Sequence, residues 1–225
     1  MNTQNQRCPQ KTFVNCRQQT NSIRIVIFPF TPTSYQLQMK TNIFWKGREY
    51  NSLENCIVEM NEDSTLVHST IVGTYHEKMY DVNYRIVTNQ FWQTTSLEIN
   101  FHINGIENGI KLEGDGRGNW KMNGEQCVRF NGCIDVDIPL TPFTNTLPIR
   151  RLRLSHGRSQ EIRVLYCDLL EDDIRPVCQK YVCLSDTTYH YENIPNDFEA
   201  DIEVDDEGIV VDYPFLFERI TAIRV

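Results

Sequence analysis

The chain has 225 residues, of which 40% are hydrophobic, and a formal net charge of −8 at pH 7. This length suits one domain with a sizeable core, and the acidic balance argues against a general nucleic-acid binder, which normally carries a basic surface. No apolar run is long enough to cross a membrane as a helix.

Residues 1–38 differ in charge from the rest of the chain. They contain four basic residues and no Asp or Glu, and their one apolar run, 23–30, is interrupted by an arginine and a proline. Three interpretations of this segment are open: a signal peptide, an organellar transit peptide, or an extension outside the domain, with Met39 as an alternative start. We favour the extension because patterned sequence begins just after Met39. We therefore expect an N-terminal arm over 1–38, a single domain over 39–225 and a cytoplasmic location.

Eight cysteines are present, an even number that would permit disulfides. The chain is long enough to fold without them, and it contains no CxxC, HxH or HExxH pattern. We therefore expect reduced structural cysteines, no metal and no cofactor.

Alternation of apolar and polar residues is the dominant pattern after Met39. It is strict in "YDVNYRIVT" (80–88), "LEINFHI" (97–103) and "FEADIEVD" (198–205), as in strands with one buried and one wet face. Less regular strand candidates occupy 56–60, 65–75, 110–112, 120–122, 127–130, 161–167, 177–184, 188–192, 209–213 and 217–224.

Turn dipeptides separate these segments. They are Asn104-Gly105, Asn108-Gly109, the glycine-rich 114–118, Asn123-Gly124, Asn131-Gly132 and Glu207-Gly208. Such dipeptides favour tight connections between antiparallel strands. Since alanine occurs only twice and no long helix is evident, we predict an all-β, mainly antiparallel fold. Its sheet would curl into an incomplete barrel or half-barrel with one or two short helices.

The stretch "DVDIPLTPFTNTLPIRRLRL" (135–154) combines two acids with three arginines. On a strand, Asp135 and Asp137 would leave the same face. Thr144 or Asn145 could cap a short helix with Pro148 in its first turn.

Three interpretations of these charges remain open. In the favoured one, the aspartates accept hydrogen bonds from the arginines and pin the crossover to the sheet. In the second, free arginines hold an anionic head group. In the third, the two carboxylates are the catalytic pair of a hydrolase. Such a pair lies across a cleft, and carboxylates two residues apart on one strand fit that geometry poorly.

The segment 133–154 resembles the signature of the bacterial "putative glycolipid-binding" family, long carried as a domain of unknown function. "IFWKGREYNSLENC" (43–56), "YRIVTNQFWQTTSLEI" (84–99), "LEGDGRGNW" (112–120) and "FEADIEVDDEGIVVDYPFLFERI" (198–220) agree in order. The resemblance covers most of 43–220. It implies an incomplete antiparallel barrel, partly closed by helix, around an apolar cavity, similar to lipoprotein carriers and acceptors. It supplies no catalytic residues. An arginine tends to follow the tryptophan of the second segment in the family, whereas Gln93, Thr94 and Thr95 follow Trp92 here, so no role of that arginine is carried over.

Other motifs favour structural interpretations. "GDGRG" lacks the lysine and helix of a phosphate-binding loop and is typical of a hairpin turn. Large aromatic residues could line a cavity but more often form core. Arg219 could pair on the Asp135/Asp137 side or stay in solvent.

We therefore predict a non-enzymatic protein that binds a lipid-like or glycolipid-like molecule, its acyl part inside the barrel and its head group near the arginines. One alternative is a hydrolase or isomerase acting on a small polar or anionic substrate through Asp135, Asp137 and an arginine. Another is an interaction module with a filled core. The predicted ligand-binding residues are Arg150, Arg151, Arg153, Asp135, Asp137, Asn145, Trp45, Trp92, Tyr213 and Arg219.

Overall fold

The structure, a computed structural model, describes residues 39–225. The arm predicted for 1–38 lies outside the described residues. The first half of the domain contains strands β1 (Met39–Gly47), β2 (Ser52–Met60), β3 (Ser64–Tyr75), β4 (Lys78–Asn89), β5 (Thr94–Ile103), β6 (Ile106–Gly114), β7 (Trp120–Met122) and β8 (Glu125–Gln126).

A short 3₁₀ helix, Val128–Phe130, leads to the second half. This half contains β9 (Asp135–Asp137), helix α1 (Phe143–Leu152), β10 (Ser159–Asp168), β11 (Asp173–Ser185), β12 (Thr188–Ile194), β13 (Glu199–Val204), β14 (Val210–Tyr213) and β15 (Phe217–Arg224).

The fifteen strands of residues 39–225 form one sheet, in the order β8-β7-β6-β5-β4-β3-β2-β1-β15-β14-β13-β12-β11-β10-β9. Each half is a meander of neighbouring strands, and the antiparallel pair β1–β15 joins the two halves. Every pairing is antiparallel except β9–β10, which is parallel. The sheet is not closed, since β8 and β9 are its two edges. The predicted all-β, curled and incomplete sheet is therefore confirmed.

The predicted inward faces are buried as the alternation requires. On β4, Tyr80, Val82, Tyr84 and Ile86 are buried, whereas Asn83 and Arg85 between them are exposed. A side-chain period of two therefore gives β4 its core face and its solvent face.

Three local predictions were wrong. The predicted strand 127–130 contains the 3₁₀ helix instead. Asn108-Gly109 lies inside β6, because Asn104-Gly105 has already turned the chain. Helix α1 begins at Phe143, so Pro148 is its sixth residue rather than part of its first turn, and neither Thr144 nor Asn145 caps it. Instead, Thr141 Oγ1 accepts the Phe143 N–H at 3.1 Å.

The two ends of the sheet approach each other without pairing as strands. The Gly132 N–H donates to the Gly118 carbonyl at 2.9 Å, and Trp120 Nε1 donates to the Cys133 carbonyl at 2.7 Å. A Cβ on Gly118, whose φ is +90°, would lie 3.0 Å from Gly132 Cα. This close backbone approach explains the need for glycine there.

Helix α1 lies between two apolar clusters. Phe143 and Leu147 pack in the larger cluster, which includes residues of β1 to β7, and Ile149 packs in the smaller one with residues of β11 to β15. The first seven residues of α1 are buried. The helix therefore supplies core to both halves of the sheet.

A buried carboxyl group connects the first half of the sheet to the segment before α1. Glu54 Oε1 accepts hydrogen bonds from Ser69 at 2.7 Å, Tyr84 at 2.8 Å and Thr141 at 2.9 Å. Glu54 Oε2 is buried and has no hydrogen-bond partner among the described residues. Burial raises the pKa of Glu54 to about 7, although the three hydroxyl donors oppose that shift.

We expect Glu54→Gln to stabilise the protein more at pH 8 than at pH 5. An acid whose pKa is higher in the folded chain than in the unfolded chain lowers stability as pH rises between those two values. The free energy of unfolding of the variant, relative to the original protein, should therefore rise by roughly 2 to 3 kcal/mol between these pH values. Urea denaturation followed by tryptophan fluorescence measures it.

Glu59→Gln, on the same strand, is the matched control. Glu59 pairs with Lys40 at 2.8 Å, and its pKa is lowered, chiefly by the Lys40 hydrogen bond. Its relative stability should show no such rise with pH. Parallel pH profiles for Glu54→Gln and the original protein would contradict the assignment.

Candidate functional site

A cleft of about 680 Å³ lies beside the start of α1. Its lining comes from the turn between β1 and β2, from the segment before α1 and the start of that helix, from β10, β11 and β12, and from the turn between β14 and β15. The buried lining residues Thr141, Asn145 and Gln179 form a polar floor. The exposed residues Ile194 and Phe215 form an apolar rim. The cleft therefore has buried polar groups beside aromatic rings, and an apolar patch at a mouth that also carries Glu49, Arg175 and Asp197.

Four tyrosines line the wall of the cleft: Tyr50, Tyr166, Tyr191 and Tyr213. The rings of Tyr191 and Tyr213 lie 6.1 Å apart in an edge-to-face arrangement. Burial raises the pKa of all four phenols, so they stay protonated at neutral pH. The wall therefore presents aromatic surface together with hydroxyl groups that can donate hydrogen bonds.

Asp137 lines this cleft, as do the exposed carboxylates Glu49 and Asp197. Thr144 donates to Asp137 Oδ1 at 2.9 Å, and Gln179 Nε2 donates to Asp137 Oδ2 at 2.6 Å. Burial raises the pKa of Asp137, and the two hydrogen bonds oppose that shift. Within 39–225 no Lys, Arg or His lies within ion-pair distance of this carboxylate.

Asp135 has a different environment, although it lies only two residues away. Its carboxylate is fully buried and accepts a forked contact from Arg151, with Nε at 3.0 Å from Oδ1 and Nη2 at 2.6 Å from Oδ2. Burial raises the pKa of Asp135, while Arg151 lowers it. This pair ties α1 to β9, as the structural interpretation of the sequence expects for one of the two aspartates.

The other two arginines of the stretch line a separate groove of about 310 Å³. The guanidinium of Arg150 lies 4.9 Å from the centre of the Trp92 ring. Burial and the nearby Arg153 lower the pKa of Arg150. Arg153 adopts a left-handed conformation, with φ of 46°, at the end of α1.

Arg219 and Trp45 form contacts with other parts of the second half of the sheet and do not line the cleft. Arg219 Nη1 contacts Asp205 Oδ2 at 2.6 Å, so it neither pairs on the Asp135/Asp137 side nor stays in solvent, and both of those expectations were wrong. Trp45 is fully buried, and its Nε1 donates to the Val210 carbonyl at 3.0 Å.

Of the ten predicted residues, the structure brings Asp137, Asn145 and Tyr213 to the cleft. The remaining seven lie outside its lining: Asp135, Arg150, Arg151, Arg153, Trp45, Trp92 and Arg219. Most of the lining was not selected by sequence reasoning, including Tyr50, Tyr166, Gln179 and Arg175. Gln179 carried a usable signal, since it is a polar residue on the buried face of β11.

The described residues contain six free cysteines, none of them paired: Cys56, Cys127, Cys133, Cys167, Cys178 and Cys183. In the same part of the chain, no helix is long and apolar enough to cross a membrane.

Comparisons with known proteins agree on the architecture. The model of a family described as "Putative glycolipid-binding" matches residues 42–219. A crystal structure of a DUF1089 family protein from Pseudomonas aeruginosa is 33% identical, with a TM-score of 0.67, over 74% of this chain and 92% of that one. A β-barrel-like protein of the DUF1849 domain from Brucella abortus is 7% identical, with a TM-score of 0.52, over 84% of this chain and 98% of that one, and this likeness concerns the fold alone. No curated protein matched the chain.

We expect Arg151→Met to destabilise the protein by about 3 to 5 kcal/mol, because it leaves the Asp135 carboxylate buried without its partner. Replacing both residues, as Asp135→Leu with Arg151→Met, should cost much less, since no buried charge remains unpaired. Chemical denaturation of the two variants measures both effects.

Lys40→Met removes one partner of an exposed ion pair and is the control for loss of a positive charge. It should cost less than about 1 kcal/mol. Equal losses for Arg151→Met and Lys40→Met would show that the Asp135–Arg151 pair does not hold α1 in place.

Proposed function

The chain belongs to the "Putative glycolipid-binding" family, and we propose that it binds an amphipathic, lipid-like molecule in the cleft beside α1 without chemically changing it. One observation carries this proposal. A single cleft combines a buried polar floor with an exposed apolar rim, which matches the two ends of such a molecule.

The apolar rim supports an oily ligand segment. Phe215 is 82% exposed, and φ at this residue is +68°, a conformation that non-glycine residues adopt at some cost. Ile194 and Pro195 add apolar surface at the same mouth. A hydrocarbon chain lying there would remove both its own surface and the rim from water, which contributes about 0.8 kcal/mol per fully buried methylene.

The size of the cleft also supports a small-molecule ligand. Its volume of about 680 Å³ falls in the range of roughly 300 to 1,000 Å³ that is typical of ligand pockets. Both apolar clusters consist of buried side chains that pack on one another, and α1 lies between the clusters. We therefore propose that the polar end of the ligand enters the cleft and that its chain lies along the rim.

This orientation differs from the one proposed from sequence, in which the chain entered the barrel and arginines met the head group. Arg151 is engaged by Asp135 and Arg219 by Asp205, while Arg150 and Arg153 line another groove. Of the predicted residues, we retain Asp137, Asn145 and Tyr213 as ligand contacts.

The carboxylate-pair enzyme has less support. Asp137 is reachable from the cleft, but Asp135 is buried in its contact with Arg151. A hydrolytic pair needs two carboxyl groups facing each other across the substrate, and only one of the two lines the cleft.

The proposal predicts that affinity depends on alkyl chain length. Decyl maltoside should bind at least about tenfold more tightly than hexyl maltoside, both below their micellar concentrations, because its longer chain covers more of the rim. Isothermal titration calorimetry with residues 1–225 measures the two constants. Equal affinities, or no binding of either compound, would overturn the proposal.

Phe215→Ser should weaken decyl maltoside binding by about tenfold, because it removes the largest exposed apolar group of the rim. Phe91→Ser is the matched control, since Phe91 is 62% exposed but does not line the cleft. An equal loss of affinity in both variants would place the chain elsewhere on the surface.

A further inference from the structure

The polar floor of the cleft is connected to a buried carboxyl group that does not itself line the cleft. Thr141, which lies in the floor, donates to Glu54 Oε1 at 2.9 Å. The same Thr141 oxygen accepts the Phe143 N–H at 3.1 Å, so it also fixes the first residue of α1. Glu54 lies on β2, in the first half of the sheet, and is not among the lining residues. One hydroxyl group therefore links the floor, the helix and Glu54.

The hydrogen bonds of Glu54 are divided unequally between its two oxygens. Oε1 accepts from Ser69, Tyr84 and Thr141, whereas the buried Oε2 has no partner among residues 39–225. In a neutral carboxyl group, Oε1 is the carbonyl oxygen and a single O–H remains unpaired. In a carboxylate, part of the negative charge lies on an Oε2 that lacks a donor, which costs more away from water. Loss of the proton therefore favours any rearrangement that brings water to Oε2.

No positive charge stabilises the ionised form of Glu54. Within residues 39–225 it takes part in no ion pair. Strand β1 places Trp45 opposite it, and β3 and the segment before α1 direct hydroxyl groups at it. The two arginines in the last turn of α1 contact Trp92 and Asp135 instead. Ionisation would therefore leave a buried charge that only hydrogen bonds offset.

Glu54 is the member of this cluster that changes charge near neutral pH. Burial raises its pKa to about 7, and the three hydroxyl donors oppose that shift. Burial also raises the pKa of the neighbouring Cys56, Tyr80 and Tyr84, whose ordinary values already lie above neutrality. A change of charge between pH 6 and pH 8.5 at this point of the fold therefore belongs to Glu54.

We infer that Glu54 is a positioning residue of the cleft, which holds the floor through Thr141 while it is protonated and releases the floor when it loses its proton. Only the protonated arrangement keeps the Thr141 hydrogen bond without burying an unpaired charge. The effect on the floor stands on the contacts of Glu54 alone. The effect on a ligand rests on the proposed function, because Thr141 lies in the cleft assigned to the ligand. Ligand affinity should therefore fall as pH rises through neutrality.

Hydrogen exchange without ligand tests the effect on the floor. The Phe143 N–H donates to Thr141, so its protection reports whether the floor is in place. After correction for the intrinsic rise of exchange with pH, this protection should fall at least about tenfold between pH 6 and pH 8.5. It should stay constant in Glu54→Gln, whose amide oxygen still accepts the three hydrogen bonds but carries no charge.

The amides of β12, in the other half of the sheet, are the internal control for this measurement. They should lose much less protection than Phe143, because the release is local. An equal loss in β12 would show a general loss of stability and overturn the inference. Constant protection of Phe143 in the original protein, or the same fall in Glu54→Gln, would also overturn it.

Titration calorimetry with decyl maltoside, on residues 1–225 and at the same two pH values, tests the effect on the ligand. The original protein should bind at least about fivefold more weakly at pH 8.5, because the fraction with a protonated Glu54 is small there. Glu54→Gln should bind equally at both pH values. Glu59→Gln removes an ionised carboxylate from the same strand and should keep the pH dependence of the original protein.

The outcomes separate this inference from the proposed function. A pH dependence that persists in Glu54→Gln would assign it to Asp137, whose carboxylate lines the cleft, and would overturn the inference. Equal affinity of the original protein at both pH values would overturn it as well. Binding of decyl maltoside at neither pH, with the expected loss of Phe143 protection, would overturn the proposed function and leave Glu54 as the residue that positions the floor.

Discussion

The buried pair of Asp135 and Arg151 is the interaction on which the geometry of the cleft depends. Strand β9 is an edge strand of three residues that pairs with β10 alone, so ladder hydrogen bonds hold it weakly. The forked contact with Arg151 fixes it to α1. Both charges are largely removed from water, so other positions of α1 relative to β9 would leave a buried charge without its partner. The pair therefore fixes the position of α1 as well as contributing to stability.

The position of α1 in turn sets the polar floor. Thr144 of the helix donates to Asp137, and Gln179 of β11 donates to the same carboxylate from the other side. Thr141, just before the helix, donates to Glu54 of β2. The segment from β9 to α1 thus forms hydrogen bonds with both halves of the sheet, and the cleft lies where it meets the second half.

Alternation in the sequence was sufficient to predict most of the sheet, because one buried face per strand is a local property. The faces of β4 and β5 follow directly from it. The lining of the cleft could not be predicted in this way. Tyr50, Tyr166 and Tyr213 are far apart along the chain and come together only in the folded sheet, in which β1 pairs with β15.

The three arginines of the α1 region are close together in the sequence but lie in different environments in the structure. Arg150, Arg151 and Arg153 are adjacent in sequence, and their shared chemistry suggested one anionic site. The helix separates them around its axis, so that Arg151 faces Asp135 while Arg150 packs on Trp92. Helical geometry therefore outweighed proximity along the chain, since neighbours one or two positions apart on a helix do not share a face.

The same cleft shows why a sheet with a well-filled interior keeps an open polar site. Tyrosine places apolar ring surface against neighbouring rings and still presents a hydroxyl group to the opening. Tyr213 packs against Phe217 and Tyr191 and also lines the cleft. The wall can therefore contribute to the smaller apolar cluster and remain available for hydrogen bonding, so that the opening costs the fold little of its buried apolar surface.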